Sequence, residues 1–255
     1  MKLHTIVSIL RKSAALFLPV FLAATLSAQS IISLNIRDGN PEGNSAVLGA
    51  FGVAAEGTVV DNWNNTNSFG AANPTLDLVD SSGAATGVSA TVLNAGGQQY
   101  WGADYAGTPW NFGIAHFTGT PNPVSVTFDN LNAAFPLGYY ALVYVSGAPP
   151  NQGAAVTDGS RTYYFQTSNP ADTTPLLITS TTSDTYDVGN YAVFGSITTP
   201  LMSDDITFAI PTGSVVSNNA GIGGVQLVAI PEPSAAAVFV GLLALGLLLY
   251  RRRRA

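Results

Sequence analysis

The chain has 255 residues, no cysteine, nine basic and fifteen acidic side chains, and a formal net charge of −6. Without cysteine there is no disulfide framework, thiol nucleophile or zinc-thiolate site. The basic residues crowd at the two ends: between 29 and 229 only Arg37 and Arg161 face fourteen acidic side chains, a formal charge of −12 that excludes nucleic acid as a partner.

In chain order, Lys2, Arg11 and Lys12 precede an apolar run at 14–26 that closes on Ser27 and Ala28. A basic head, a short apolar stretch and small residues at its end predict a signal peptide over 1–28, exported through the Sec translocon and cut near Ala28. An uncleaved amino-terminal anchor is the alternative. The residues 29–229 that follow are expected to form a single extracytoplasmic domain, since all-β domains reach that size around one core.

The body opens with "SIISLNI" (30–36), an extended run, and then "DGNPEGN" (38–44). Asp38, Asn40 and Glu42 with Gly43 imitate the first half of a calcium loop, but Gly49 stands where the bidentate glutamate belongs. An EF-hand is therefore excluded, and an irregular structural calcium site at these three residues stays open as the one cofactor reading. "DNWNNTNSFG" (61–70) sets Asn62, Asn64 and Asn65 around Trp63. Amides beside an aromatic ring are the chemistry that binds sugar hydroxyls and ring faces. The same residues also make turns, and a lone tryptophan commonly fills a core, so both readings stand.

"TLDLVD" (75–80) and "GVSATVLN" (87–94) alternate with a period of two, as strands do. "GGQQYWGADYAGTPWNF" (96–112) places Trp101 with Tyr100, Tyr105 and Trp110 in a glycine-rich loop, the second candidate for a sugar contact. At least one of Trp63 and Trp101 is expected in the core. "NFGIAHFTG" (111–119) is strand-like and carries His116, the body's one histidine. A lone histidine in an apolar strand is more often structural than a general base, and no nucleophile elbow, zinc-protease helix or phosphate loop accompanies it.

Further strands are expected in "PVSVTFDNL" (123–131), with Val124, Val126 and Phe128 on the buried face, and in "TYYFQT" (162–167), "NYAVFGSI" (190–197), "DDITFAI" (204–210) and "GVQLVAI" (224–230). "GYYALVYVSG" (138–147) is apolar on both faces and belongs at the centre of a sheet covered on both sides. No long amphipathic helix and no fixed repeat interrupts the series. The expectation is an all-β body of two packed antiparallel sheets, a jelly-roll-like sandwich.

The remainder, 230–255, changes character: Pro231, Glu232 and Pro233, then an uncharged apolar run at 235–250, then Arg251, Arg252, Arg253 and Arg254. As a helix the run covers about 24 Å, short of a hydrocarbon layer of about 30 Å but sufficient with local thinning. The arginines would be retained in the cytoplasm, so the body lies across the membrane from them.

Triplet, apolar helix and arginine cluster, in that order, resemble the PEP-CTERM sorting signal. The resemblance implies an exosortase, a membrane-embedded transpeptidase, that cuts near the triplet and hands the protein to the cell envelope or extracellular matrix. The segments 61–68, 78–92, 139–147, 191–197 and 220–228 are similar to exported bacterial proteins with galactose-binding-like jelly-roll bodies. That second resemblance implies contact with extracellular polysaccharide. A purely structural surface protein without a ligand, or a carbohydrate-active enzyme, is the alternative; a non-catalytic body is the expectation.

Overall fold

The computed structural model describes residues 30–36, 62–65, 75–94, 98–100, 112–117, 124–147, 151–168, 174–216, 219–232 and 252. Internal contacts gather 29–230 into one compact unit. The expected signal peptide, Asp38, Asn40, Glu42 and Trp101, and the run 233–251 lie outside the described residues.

The unit is mostly β, with two mixed sheets forming a sandwich-like body. The first sheet is centred on β8 (Tyr139–Ser146) and β15 (Asn219–Ala229). β1 (Ile31–Asn35) and then the short β2 (Asn64–Asn65) extend it on one side, and β13 (Tyr191–Phe194) and β11 (Leu177–Ile178) on the other. β6 (Phe112–Phe117) pairs with the first half of β15 and carries β5 (Gln98–Tyr100). The second sheet runs in the order β12 (Asp187–Gly189), β10 (Thr162–Thr167), β9 (Gly153–Thr157), β14 (Ile206–Ile210), β7 (Val124–Asp129), β4 (Ala85–Asn94) and β3 (Thr75–Val79).

Alternation decides which side chains meet between the sheets. Val124, Val126 and Phe128 of β7 point into the core, as do Phe165 of β10 and Ile206, Phe208 and Ile210 of β14. From the first sheet Ile32, Leu34, Val143, Val145, Val225 and Leu227 answer them. Phe194 of β13 reaches Phe208 across the sandwich with ring centres 5.2 Å apart, and Phe208 meets Phe128 edge-on at 6.3 Å. As its composition suggested, β8 is buried on both faces: Ala141, Val143 and Val145 join the main core, while Leu142 and Tyr144 join a second cluster on the outer face of the same sheet.

The expectation of purely antiparallel sheets is corrected at three places: β1 with β2, β10 with β12, and β11 with β13 pair in parallel. Each of these pairs includes a strand of two or three residues. Between 177 and 194 the chain steps from the first sheet to the second and back, a crossover path that brings strands together in the same direction. Asp187 ties that path down, accepting hydrogen bonds from the N–H and hydroxyl of Thr179, at 2.7 and 2.9 Å, and from the Ser180 N–H at 2.7 Å.

Among the described residues helix is limited to the single turn α1 (Leu131–Ala134), entered through Asn130 in the left-handed region at φ 66°, and to Arg252.

Candidate functional site

Of the asparagine-rich segment residues 62–65 are described: Asn64 and Asn65 form β2 at the edge of the first sheet, and the groups of these four residues are engaged with the protein itself. Trp63 is 8 % exposed and packs with Ile31, Leu142, Tyr144 and Val228; its ring centre is 6.1 Å from that of Tyr144. Asn64 joins the two sheets through one side chain: Nδ2 donates to the carbonyls of Ser33 (3.0 Å) and Val79 (2.8 Å), and Oδ1 accepts from the Val79 N–H (2.9 Å). Asn65 accepts from Asn35 Nδ2 at 2.8 Å and donates to the Trp63 carbonyl at 3.0 Å. Asn62 is exposed and donates to the Ser81 carbonyl at 2.6 Å. A side-chain amide that copies the donor and acceptor of a peptide group can complete a sheet edge, and Asn64 does this for β3.

Behind this segment lies a polar row that sequence reasoning passed over. Ser33, Asn35, Gln226 and Ser146 are all buried in the first sheet. The Tyr144 hydroxyl donates to Gln226 Oε1 at 2.5 Å, and Gln226 Nε2 donates to Ser33 Oγ at 3.0 Å, linking β8, β15 and β1. The available signal was the alternation inside "SIISLNI" and "GVQLVAI", where Ser33, Asn35 and Gln226 occupy one face of otherwise apolar strands. Buried polar groups need partners, so amide residues at such positions announce a network.

Two carboxylates hold turns and fall below the usual aspartate range. Asp80 heads the turn between β3 and β4. Burial works against its ionisation, and hydrogen bonds from the Ser82 hydroxyl and the Ala84, Ser82 and Gly83 N–H groups outweigh that, so its pKa is lowered. Asp187 is lowered by the Thr179 N–H, the Thr179 hydroxyl and the Ser180 N–H. A depressed folded pKa gives stability that is fully present above the unfolded value of about 3.9 and is lost as pH falls through the folded value. The melting temperature should therefore fall on acidification below about pH 4. The double variant Asp80→Asn, Asp187→Asn should be less stable at pH 7 and show a shallower acid dependence. An unchanged pH profile would remove these two turns as acid-sensitive elements.

His116 falls in β6, on the register position opposite Ala220. Pro231 and Glu232 follow the last strand and are exposed, as is Arg252; Pro233, Arg251, Arg253 and Arg254 lie outside the described residues. Among the described residues no three metal-ligating side chains converge, and no helix is long and apolar enough to cross a membrane, the run 235–250 not being among them. No family model, curated protein or solved structure matches this chain.

Proposed function

We propose that this chain is an exported envelope protein, delivered by a PEP-CTERM tail that an exosortase cuts, with a non-catalytic jelly-roll-like body held in or against extracellular polysaccharide. The observation that carries the proposal is the order of chemistry in 230–255: Pro231, Glu232 and Pro233, sixteen uncharged residues at 235–250, then Arg251 to Arg254. As a helix, this charge-free run would hold the precursor in the inner membrane, with the arginines retained on the cytoplasmic side.

The geometry beside the triplet supports the reading. β15 is a central strand, paired with β1 and β6 on one side and β8 on the other. It ends at Ala229, and the Ile230 N–H donates to the Gly138 carbonyl at 3.0 Å. Pro231 then brings no N–H to a ladder, and it is exposed together with Glu232. A cut at the triplet would thus remove the tail and leave the ladder pairs of β15 with β1, β6 and β8 in place. The burial of Trp63 and the engagement of Asn64 and Asn65 favour a second reading for the body, a displayed structural protein that makes no sugar contact through this segment.

The test is genetic. Replacing Arg251 to Arg254 with uncharged residues, or Pro231 and Glu232 with alanine, should leave an unprocessed precursor in the membrane fraction. Normal processing and release of both variants would overturn the proposal.

A further inference from the structure

Among the described residues six large apolar side chains are exposed, and three of them gather at one end of the body: Leu137 (42 % exposed), Ile197 (51 %) and Met202 (58 %). The segments that carry them meet around Gly138. Leu137 sits in the turn closed by the Gly138 N–H on the Phe135 carbonyl, and Tyr139 exchanges hydrogen bonds with Leu201. A Cβ at Gly138 would touch the Met202 sulfur, and one at Gly195, two residues before Ile197, would lie 2.9 Å from Leu201 Cγ. Ile197 itself is in the turn closed by the Ser196 N–H on the Thr199 carbonyl. Apolar side chains scattered singly over a surface are ordinary; three grouped on adjoining segments are not. The other exposed residues lie elsewhere. Leu177 pairs with Tyr191, while Val188 pairs with Gln166 and Gln166 with Gly153, whose carbonyl accepts from the Val216 N–H at 2.9 Å. This second group is toward the far end of β8, where the Asn190 carbonyl accepts from the Val145 N–H.

The chain also enters and leaves the body at the Gly138 end. The Ala229 N–H donates to the Ser30 carbonyl at 2.9 Å, and the Ile230 N–H donates to the Gly138 carbonyl at 3.0 Å. Three residues separate Ser30 from the apolar run 14–26, and four separate Ile230 from the run 235–250. At full extension such links reach no more than about 14 and 18 Å. A headgroup layer takes about 6 Å of that reach. Whichever run is in a bilayer, the end of the body that bears Leu137, Ile197 and Met202 cannot be far from lipid.

We propose that in the membrane-held precursor this end of the body rests on the non-cytoplasmic lipid surface, with Leu137, Ile197 and Met202 seated among the headgroups. The inference rests on the reading of 230–255 as a membrane tail and adds a second contact to it. The contact is apolar rather than electrostatic: Asp204 and Asp205, beside Met202, are exposed and offer nothing to an anionic headgroup. Neutral lipid is therefore sufficient, unlike the basic surfaces that seek anionic membranes.

The absence of cysteine allows one label per molecule. Full-length Ile197→Cys, Met202→Cys, Val188→Cys and Val216→Cys, each carrying an environment-sensitive fluorophore, are reconstituted into phosphatidylcholine vesicles. Emission from positions 197 and 202 should shift to the blue and be quenched several-fold more by spin-labelled lipid than emission from 188 and 216, which should stay open to aqueous iodide. Adding phosphatidylglycerol should not increase that quenching; an increase would contradict an apolar contact. Water-exposed labels at 197 and 202 would overturn the seating, and so would equal lipid quenching at all four positions. Shielding that appears only in membranes of the producing cell would assign the patch to a protein partner and overturn it as well. Flotation with the vesicles reads the tail separately. A chain that floats with its 197 and 202 labels in water loses only the seating, whereas a chain that does not float loses the tail reading and the seating together.

Discussion

Trp63→Ala should destabilise the full-length protein by about 3–5 kcal/mol, the cost of deleting a buried aromatic side chain whose surroundings cannot fully close. Trp63 is 8 % exposed and packs with Ile31, Leu142, Tyr144 and Val228, with Tyr140, Tyr191 and Val193 half-buried around them. That cluster is the apolar cover of the central strands on the side away from the main core. Its loss would also leave the Tyr144, Gln226 and Ser33 chain of hydrogen bonds against a cavity, where buried polar groups are costly to disturb. Urea denaturation followed by circular dichroism measures the effect. A tryptophan that serves an external ligand would leave the midpoint nearly unchanged, so a loss below about 1 kcal/mol would contradict the packing role.

Gly138→Ala should be comparably damaging for a different reason. Gly138 sits at φ +85°, where an L side chain costs about 1–2 kcal/mol by itself. A Cβ there would also lie 2.5 Å from the Met202 sulfur, 2.7 Å from the Leu201 carbonyl oxygen and 2.9 Å from Pro200 Cβ. The flexible Met202 tip can move, but the carbonyl belongs to the bridge in which Tyr139 and Leu201 exchange hydrogen bonds at 3.0 and 2.7 Å. The Tyr139 hydroxyl next to it donates to the Ser203 carbonyl at 3.1 Å. Burial, and then the charges of Asp158, Asp204 and Asp205, push its pKa up, so the phenol keeps the proton it donates. Adding overpacking of about 1–3 kcal/mol to the backbone term gives a total near 3 kcal/mol or more. Gly213→Ala is the control: φ is +77° with nothing within 4 Å of the added carbon, so only the backbone term of about 1–2 kcal/mol should appear. Equal losses in the two variants would show that the crowding at Leu201 is not what matters.

Much of the sandwich is visible in the sequence because the strands obey simple patterns. β7 reads directly from the alternation of Val124, Val126 and Phe128, and β8 from the lack of any polar side between Tyr139 and Val145. β9 does not, since Gly153, Ala154 and Ala155 have no strand preference of their own; it is a strand because β10 pairs along one edge and β14 touches the other. The start of β15 is hidden for the same reason, its residues 219–223, with Gly221 and Gly223, preceding the run 224–230 in which the strand is expected. β2, β11 and β12 are two or three residues long and owe their place to partners far along the chain.

The site shows a sharper limit. Composition marks Trp63 with Asn62, Asn64 and Asn65 as aromatic and amide chemistry but cannot say to whom the amides are bonded. Asn64 finds Ser33 and Val79, 31 and 15 residues away, and only the fold brings those groups within reach. Asn35 and Ser146, by contrast, look ordinary in sequence, and their unmatched atoms appear only once both strands are seen flanking the glycines of β15.

Sorting is decided most directly by the mature protein's own carboxyl end. Mass spectrometry of the protein recovered from the envelope or matrix of the producing cell should find a terminus at or next to Pro231, Glu232 and Pro233, with 235–255 absent. Recovery of that protein with Arg251 to Arg254 still attached and anchored in the inner membrane would contradict delivery by an exosortase.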